Sequence, residues 1–200
     1  MKIERVYREI LFEVLEKEVK KLTQRGLSQR CEVSLSTVNH AIKPLVRMNA
    51  VEVSKFGLRV TQPKKILYYW ACIRRLEGDV VYKTFLREDV ERIETMLPPG
   101  SILTAYSAFK LRFREVPSEY GEVVVYGRRE DFLERFGKEN LKFEPNLIVL
   151  KLDEHLLKFK EIPVAQIFVD LWNLRSWYAN DFLKRLEVRI DGILERMGYR

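Results

Sequence analysis

Residues 22–45 read Leu22-Thr23-Gln24-Arg25-Gly26-Leu27-Ser28-Gln29-Arg30-Cys31-Glu32-Val33-Ser34-Leu35-Ser36-Thr37-Val38-Asn39-His40-Ala41-Ile42-Lys43-Pro44-Leu45, and their spacing decides how the first third of the chain folds. Thr23 is placed to cap a short helix to about Cys31, with Leu27 as its inward anchor and Gln24, Arg25, Gln29 and Arg30 facing out. Glu32-Val33-Ser34 makes a tight turn, and Ser34 caps a third helix from Leu35 to about Asn49. On a helical wheel Leu35, Val38, Ile42, Leu45 and Val46 fall together, while Ser36, His40, Lys43 and Arg47 lie roughly opposite. One face is core and one is free. Pro44 removes a backbone bond inside this helix and predicts a kink before its last turn.

Upstream, Ile3, Val6, Tyr7, Ile10, Leu11, Val14, Leu15 and Val19 repeat at helical spacing over residues 2 to about 20, an amphipathic helix. Downstream, Val51-Glu52-Val53-Ser54 and Leu58-Arg59-Val60-Thr61 alternate around Lys55-Phe56-Gly57, a β-hairpin. Three helices followed by a hairpin form a winged helix-turn-helix arrangement. Segment 22–45 resembles the helix-turn-helix of archaeal and bacterial winged-helix regulators in the spacing of Leu27, Val33, Val38, Ile42 and Leu45 and in the turn from Val33 to Val38. It departs from that pattern at Ser28 and Glu32, where such motifs often carry Ala and Gly, which implies a looser turn.

The charge distribution separates this module from the rest. The chain has 200 residues and a net charge of +7. Residues 1–66 hold 14 Lys and Arg against 7 Asp and Glu, whereas residues 67–200 hold 22 of each, so the whole excess lies in the first third. The aromatics divide the other way, with only Tyr7, Phe12 and Phe56 before residue 67. A basic helical module of this kind points to duplex DNA, because a helix fits the major groove and Lys and Arg neutralise phosphate. The expected DNA-facing set is Gln24, Arg25, Ser34, Ser36, Thr37, Asn39, His40, Lys43, Lys55 and Arg59. Ser36, Thr37, His40 and Lys43 are placed toward the groove. Asn39 sits at the seam, where it either pairs with an adenine edge or braces the core. Gln24, Arg25, Lys55 and Arg59 are phosphate or minor-groove contacts that fix position.

Cys31 and Cys72 are too few for a disulfide framework and lack zinc-ligand spacing, so a reducing cytoplasm is the expected compartment and Cys31 a small core residue. Residues 1–20 contain no apolar signal region, and 163–172 is too short and polar to span a bilayer, so no membrane partner is expected. Abundant Glu, Lys and Arg beside four Gln and six Asn match the balance of proteins from hot environments and suggest a thermophile. No metal or cofactor is expected: His40 has only His155, far along the chain, as a fellow histidine.

The domain division expected is 1–66 for the DNA-binding module and 67–200 for an α/β regulatory or dimerisation domain, with 67–97 as a connecting part. The pattern predicts a connecting helix over 64–76, strands at 80–85, 102–104, 123–126 and 147–150, and helices at 89–97, 106–113, 130–136 and from Pro163 and Ser176, an α+β chain overall. Two stretches resemble the C-terminal domain of AbiEi-type antitoxin regulators. One is Ile102-Leu103-Thr104-Ala105-Tyr106-Ser107-Ala108-Phe109-Lys110 with Glu122-Val123-Val124-Val125-Tyr126. The other is Ile162-Pro163-Val164-Ala165-Gln166-Ile167-Phe168-Val169-Asp170-Leu171 leading to Ala179-Asn180-Asp181-Phe182-Leu183. The resemblance implies a domain distantly related to nucleotidyltransferases that serves regulation, dimerisation or a protein partner, in a repressor or antitoxin-like autoregulator.

Catalysis is not expected. Gly100-Ser101 could open a nucleotidyltransferase site, but that chemistry needs paired carboxylates on a strand to hold two metal ions. Here Glu122 stands alone before Val123-Val124-Val125-Tyr126, and Asp153-Glu154 lies at the end of a later strand. Asp170, on an apolar helix, calls for a structural partner such as Arg175 or a helix N-terminus. Phe182, Leu183, Leu186, Ile190, Ile193 and Met197 form a stripe that reads as core, with a homodimer face as the alternative. Trp177 and Tyr178 are candidate partner anchors. The alternatives to a DNA-binding regulator are a nucleotidyltransferase-related enzyme, a ligand-sensing module and a winged-helix protein adaptor.

Overall fold

In the computed structural model, which describes residues 2–199, local capping builds the first segment much as its sequence dictates. It runs α1 (Lys2–Lys17), β1 (Lys21–Leu22), α2 (Gln24–Cys31), α3 (Leu35–Arg47), β2 (Val51–Ser54), β3 (Gly57–Val60) and α4 (Pro63–Ile73). Thr23 Oγ1 accepts from Gly26 N at 3.0 Å to start α2, and Ser34 Oγ accepts from Thr37 N at 3.1 Å to start α3. β2 and β3 pair in the hairpin register Ser54 with Gly57. The two-residue β1, absent from the sequence reading, adds to the other side of β3 and gives an antiparallel sheet of order β1-β3-β2. Helix α3 continues through Pro44 to Arg47.

The chain divides into two units, and the boundary expected at residue 66 does not hold. The first unit takes in everything up to Arg74 together with residues 163–169 and 186–200. The reason lies in α1, which is more than an amphipathic surface helix. Its apolar stripe is buried, and so are Glu4, Arg8, Glu9 and Glu13. Each buried charge has a partner, as burial requires, that of Glu13 being Lys17 Nζ at 3.0 Å. Glu4 accepts from Arg74 Nη1 at 2.5 Å and from Trp70 Nε1 at 3.1 Å. Glu9 pairs with Arg30 Nε at 2.7 Å, so Arg30 does not simply face out. Arg8 Nε donates to Gln166 Oε1 at 2.7 Å, and Glu16 accepts from Val164 N at 2.9 Å. Helix α4 is therefore no connector: Ile66, Leu67, Trp70 and Ala71 are buried and the helix packs on α1.

The second unit comprises residues 75–162 and 170–185. Its elements are a 3-10 turn (Leu76–Asp79), β4 (Val80–Thr84), α5 (Val90–Met96), β5 (Ile102–Leu103), α6 (Ala105–Phe113), β6 (Val123–Gly127), α7 (Arg129–Phe136), β7 (Leu147–Lys151) and a second 3-10 turn (Glu154–Lys158). Parts of α8 (Val164–Trp172) and α9 (Ala179–Arg196) complete it. The sheet order is β4-β7-β6-β5, with only β6 and β7 parallel. Residues 75–97 thus supply an edge strand and a helix, so they are not a linker. Strand β6 is buried at every position, which explains its unbroken Val-Val-Val run. Tyr82, Ile93, Val123, Val125, Phe132, Leu147 and Val149 form the core on one face. The chain as a whole is α+β, and no helix among the described residues is long and apolar enough to cross a membrane.

Candidate nucleic-acid interface

Helix α3 carries its core on Val38, Ala41, Ile42 and Leu45. Leu35 and Val46, both expected in that core, are 49% and 41% exposed. Leu35 opens the helix, and Val46 lies about 100° around the axis from buried Leu45, so neither reaches the seam. The remaining surface is polar and basic: Ser36, Asn39, His40, Lys43 and Arg47 are exposed. Asn39 is therefore not a core brace.

Several of these residues converge. Gln24, from the first turn of α2, joins Ser36, Asn39, His40, Lys43 and Arg47 around one open concavity, closed by Ile42, Val46 and Val53 of β2. The turn between α2 and α3 fixes this arrangement. Glu32 adopts the left-handed conformation (φ 53°) that ends α2, and Val33 N donates to Ser28 O at 3.1 Å. Ser28 Oγ donates to Val33 O at 2.6 Å. The departures at Ser28 and Glu32 therefore do not loosen the turn, because Ser28 ties it.

The other expected contacts lie apart from this concavity. Ser34 and Thr37 spend their hydroxyls on one another, 2.9 Å apart, and on the cap of α3. Arg25 is exposed on α2. Arg59 pairs across the hairpin with Glu52 at 3.2 Å, an exposed pair of small net energy that phosphate can replace. Lys55 stands at the hairpin tip with its ammonium 5.0 Å from the centre of the Phe56 ring. Arg47, Val46, Val53 and Phe56 were not in the expected set. Arg47 was legible as part of the free face, whereas Val53 and Phe56 needed the hairpin's placement.

The second unit offers different chemistry. Asp170 is fully buried and accepts from Thr104 Oγ1 at 2.7 Å and Tyr126 Oη at 2.6 Å. The expected partner Arg175 instead pairs with Glu77. Glu122 accepts from Ser176 Oγ at 2.6 Å, and Asp153 caps the second 3-10 turn. Gly100 and Ser101 line an apolar groove with Leu103, Leu157 and Phe159, whose one carboxylate is Glu161. Among the described residues no three His, Cys, Asp or Glu side chains gather as a metal-binding group. The α9 stripe is core at Phe182, Leu186, Ile190 and Met197, with Leu194 in place of Ile193. Of the two expected partner anchors, Trp177 is 73% exposed, whereas Tyr178 accepts from Gly121 N and packs on Tyr106. Comparison with protein-family models, curated proteins and solved structures matches nothing.

Proposed function

We propose that this chain is a cytoplasmic DNA-binding transcriptional regulator, of the repressor or antitoxin-autoregulator kind. Its first unit serves as a winged helix-turn-helix, with α3 entering the major groove and the β2–β3 hairpin lying on the flanking duplex. The observation that carries the reading is the convergence of Gln24, Ser36, Asn39, His40, Lys43 and Arg47 on one exposed face. A helix of this width fits the groove, Asn39 can pair with an adenine edge, and Lys43 or Arg47 can reach guanine or phosphate. The exposed Val46 and Leu35 suit thymine methyl groups. The second unit is read as non-catalytic, serving regulation, homodimer formation or a protein partner.

Fluorescence anisotropy of the full chain on a pool of random 30-base-pair duplexes tests this. Affinity is expected to fall about 1,000-fold between 50 and 200 mM salt, the loss that roughly six released counterions produce. A protein-adaptor reading draws on the exposed Leu35, Val46 and Val53. Absence of DNA binding at 50 mM salt would overturn the proposal and leave that alternative standing.

A further inference from the structure

The hairpin register pairs Ser54 with Gly57, so Lys55 and Phe56 alone form the tip. Phe56 is 85% exposed, the most exposed large apolar side chain among the described residues. The tip that presents it is held. Phe56 N donates to Ser54 Oγ at 3.2 Å. Gly57 has φ +129°, and a Cβ there would come within 2.5 Å of Leu22 O, so the hairpin seats directly against β1. Two strands thus hold out one aromatic ring with a lysine ammonium over it. The ring contributes little burial to the fold, and solvent is a poor partner for it.

We infer that Phe56 is a wedge for duplex DNA: its ring enters a base step from the minor groove and partly unstacks it, while Lys55 meets the adjoining phosphate. The inference rests on the DNA-binding reading above and adds to it a deformation of the DNA. An apolar side chain driven between base pairs kinks the duplex, most easily at flexible TA steps, and opens more of the duplex to the protein. Val53 shares a concavity with the α3 face, which puts the hairpin alongside the proposed groove helix.

The test uses the full chain at 50 mM salt and a 30-base-pair duplex with TA steps and a fluorophore at each end. Energy transfer between the ends is expected to rise on binding of the unaltered chain. Phe56→Ala is expected to abolish that rise and weaken binding about tenfold while leaving the salt slope unchanged. Phe56→Leu, which keeps a wedge, is expected to restore most of the bend. Both variants should melt like the parent, because the ring is solvent-facing. Binding with equal bending by the parent and Phe56→Ala, or with no bending by either, overturns the wedge and leaves DNA binding standing. Tighter binding to oligo(dT) than to duplex, lost in Phe56→Ala, makes the tip a single-strand stacking platform and likewise overturns it. No binding to duplex at 50 mM salt removes both the wedge and the reading beneath it.

Discussion

Glu32 holds the backbone position at which glycine is usually found, left-handed at the end of α2. A side chain there costs about 1–2 kcal/mol against the right-handed conformation, whereas glycine adopts it freely but gives up about 0.5–1 kcal/mol of chain entropy. Glu32→Gly is therefore expected to stabilise the chain by about 0.5–1 kcal/mol, read as a higher urea midpoint at constant slope. An unchanged midpoint would mean that contacts of the Glu32 side chain offset the strain. On the proposed DNA face, Lys43 separates two modes of recognition. If it meets phosphate, Lys43→Ala weakens all sequences alike and lowers the salt slope by about one. If it meets guanine, preference at one base pair relaxes, at a cost of about 1–3 kcal/mol. Selection of preferred sites by parent and variant distinguishes the two.

Helix α1 shows what packing adds to periodicity. Its apolar stripe was legible from Val6 to Leu15, but four buried charges were not, since Glu4, Arg8, Glu9 and Glu13 look like a solvated face until their partners are known. Glu13 has a local partner in Lys17, one turn on, but those of Glu4, Arg8 and Glu9 lie 21 to 158 residues away, on α2, α8 and the end of α4, beyond the reach of any local pattern. The same limit applied to the site. The caps at Thr23 and Ser34 and the free face of α3 depend on residues within one or two turns, and so could be read. The exposure of Val46 and the role of Val53 depend on how the hairpin lies beside α3. Buried pairing also makes a prediction. Burial pushes the Glu4 carboxyl upward, but Arg74 and Trp70 outweigh it and hold it below its ordinary value. That contribution to stability is complete above the unfolded carboxyl value and is lost as pH falls through the folded one. Arg74→Met is expected to cost about 3–5 kcal/mol at pH 7, because one partner of a buried pair is removed. The gap between parent and variant should narrow as pH falls through the ordinary carboxylate range, because Glu4 left buried without Arg74 takes up a proton first, whereas in the parent Arg74 holds it ionised to lower pH. Denaturant titrations at pH 7 and pH 4 measure it, and a gap independent of pH would assign the loss to packing alone.

For the molecule, composition and topology divide the chain differently. The charge excess ends near residue 66, yet the unit that carries it also contains residues 67–74, 163–169 and 186–200. Charge reports where a surface is; burial reports what must be present for that surface to be held. The closing segments supply specific contacts inside this unit. Lys64 pairs with Asp191 at 2.8 Å, Tyr68 Oη donates to Glu187 at 2.8 Å, and Tyr199 Oη donates to Val60 O at 3.1 Å. Ile167 and Phe168 are fully buried, the latter with its ring 5.9 Å from that of Tyr68. A fragment of residues 1–74 contains every residue of the proposed interface but none of these partners. It leaves Arg8 without Gln166 and uncovers apolar surface on α1 and α4, and each large side chain so exposed forfeits about 1.5–3 kcal/mol against a total of about 5–15. The fragment is therefore expected to melt broadly and far below the full chain by circular dichroism, and to bind duplex DNA more weakly although its net charge of +8 is no lower than the +7 of the full chain. A sharp transition near the full-length midpoint would show that the first 74 residues fold on their own and that the later segments only rest on them.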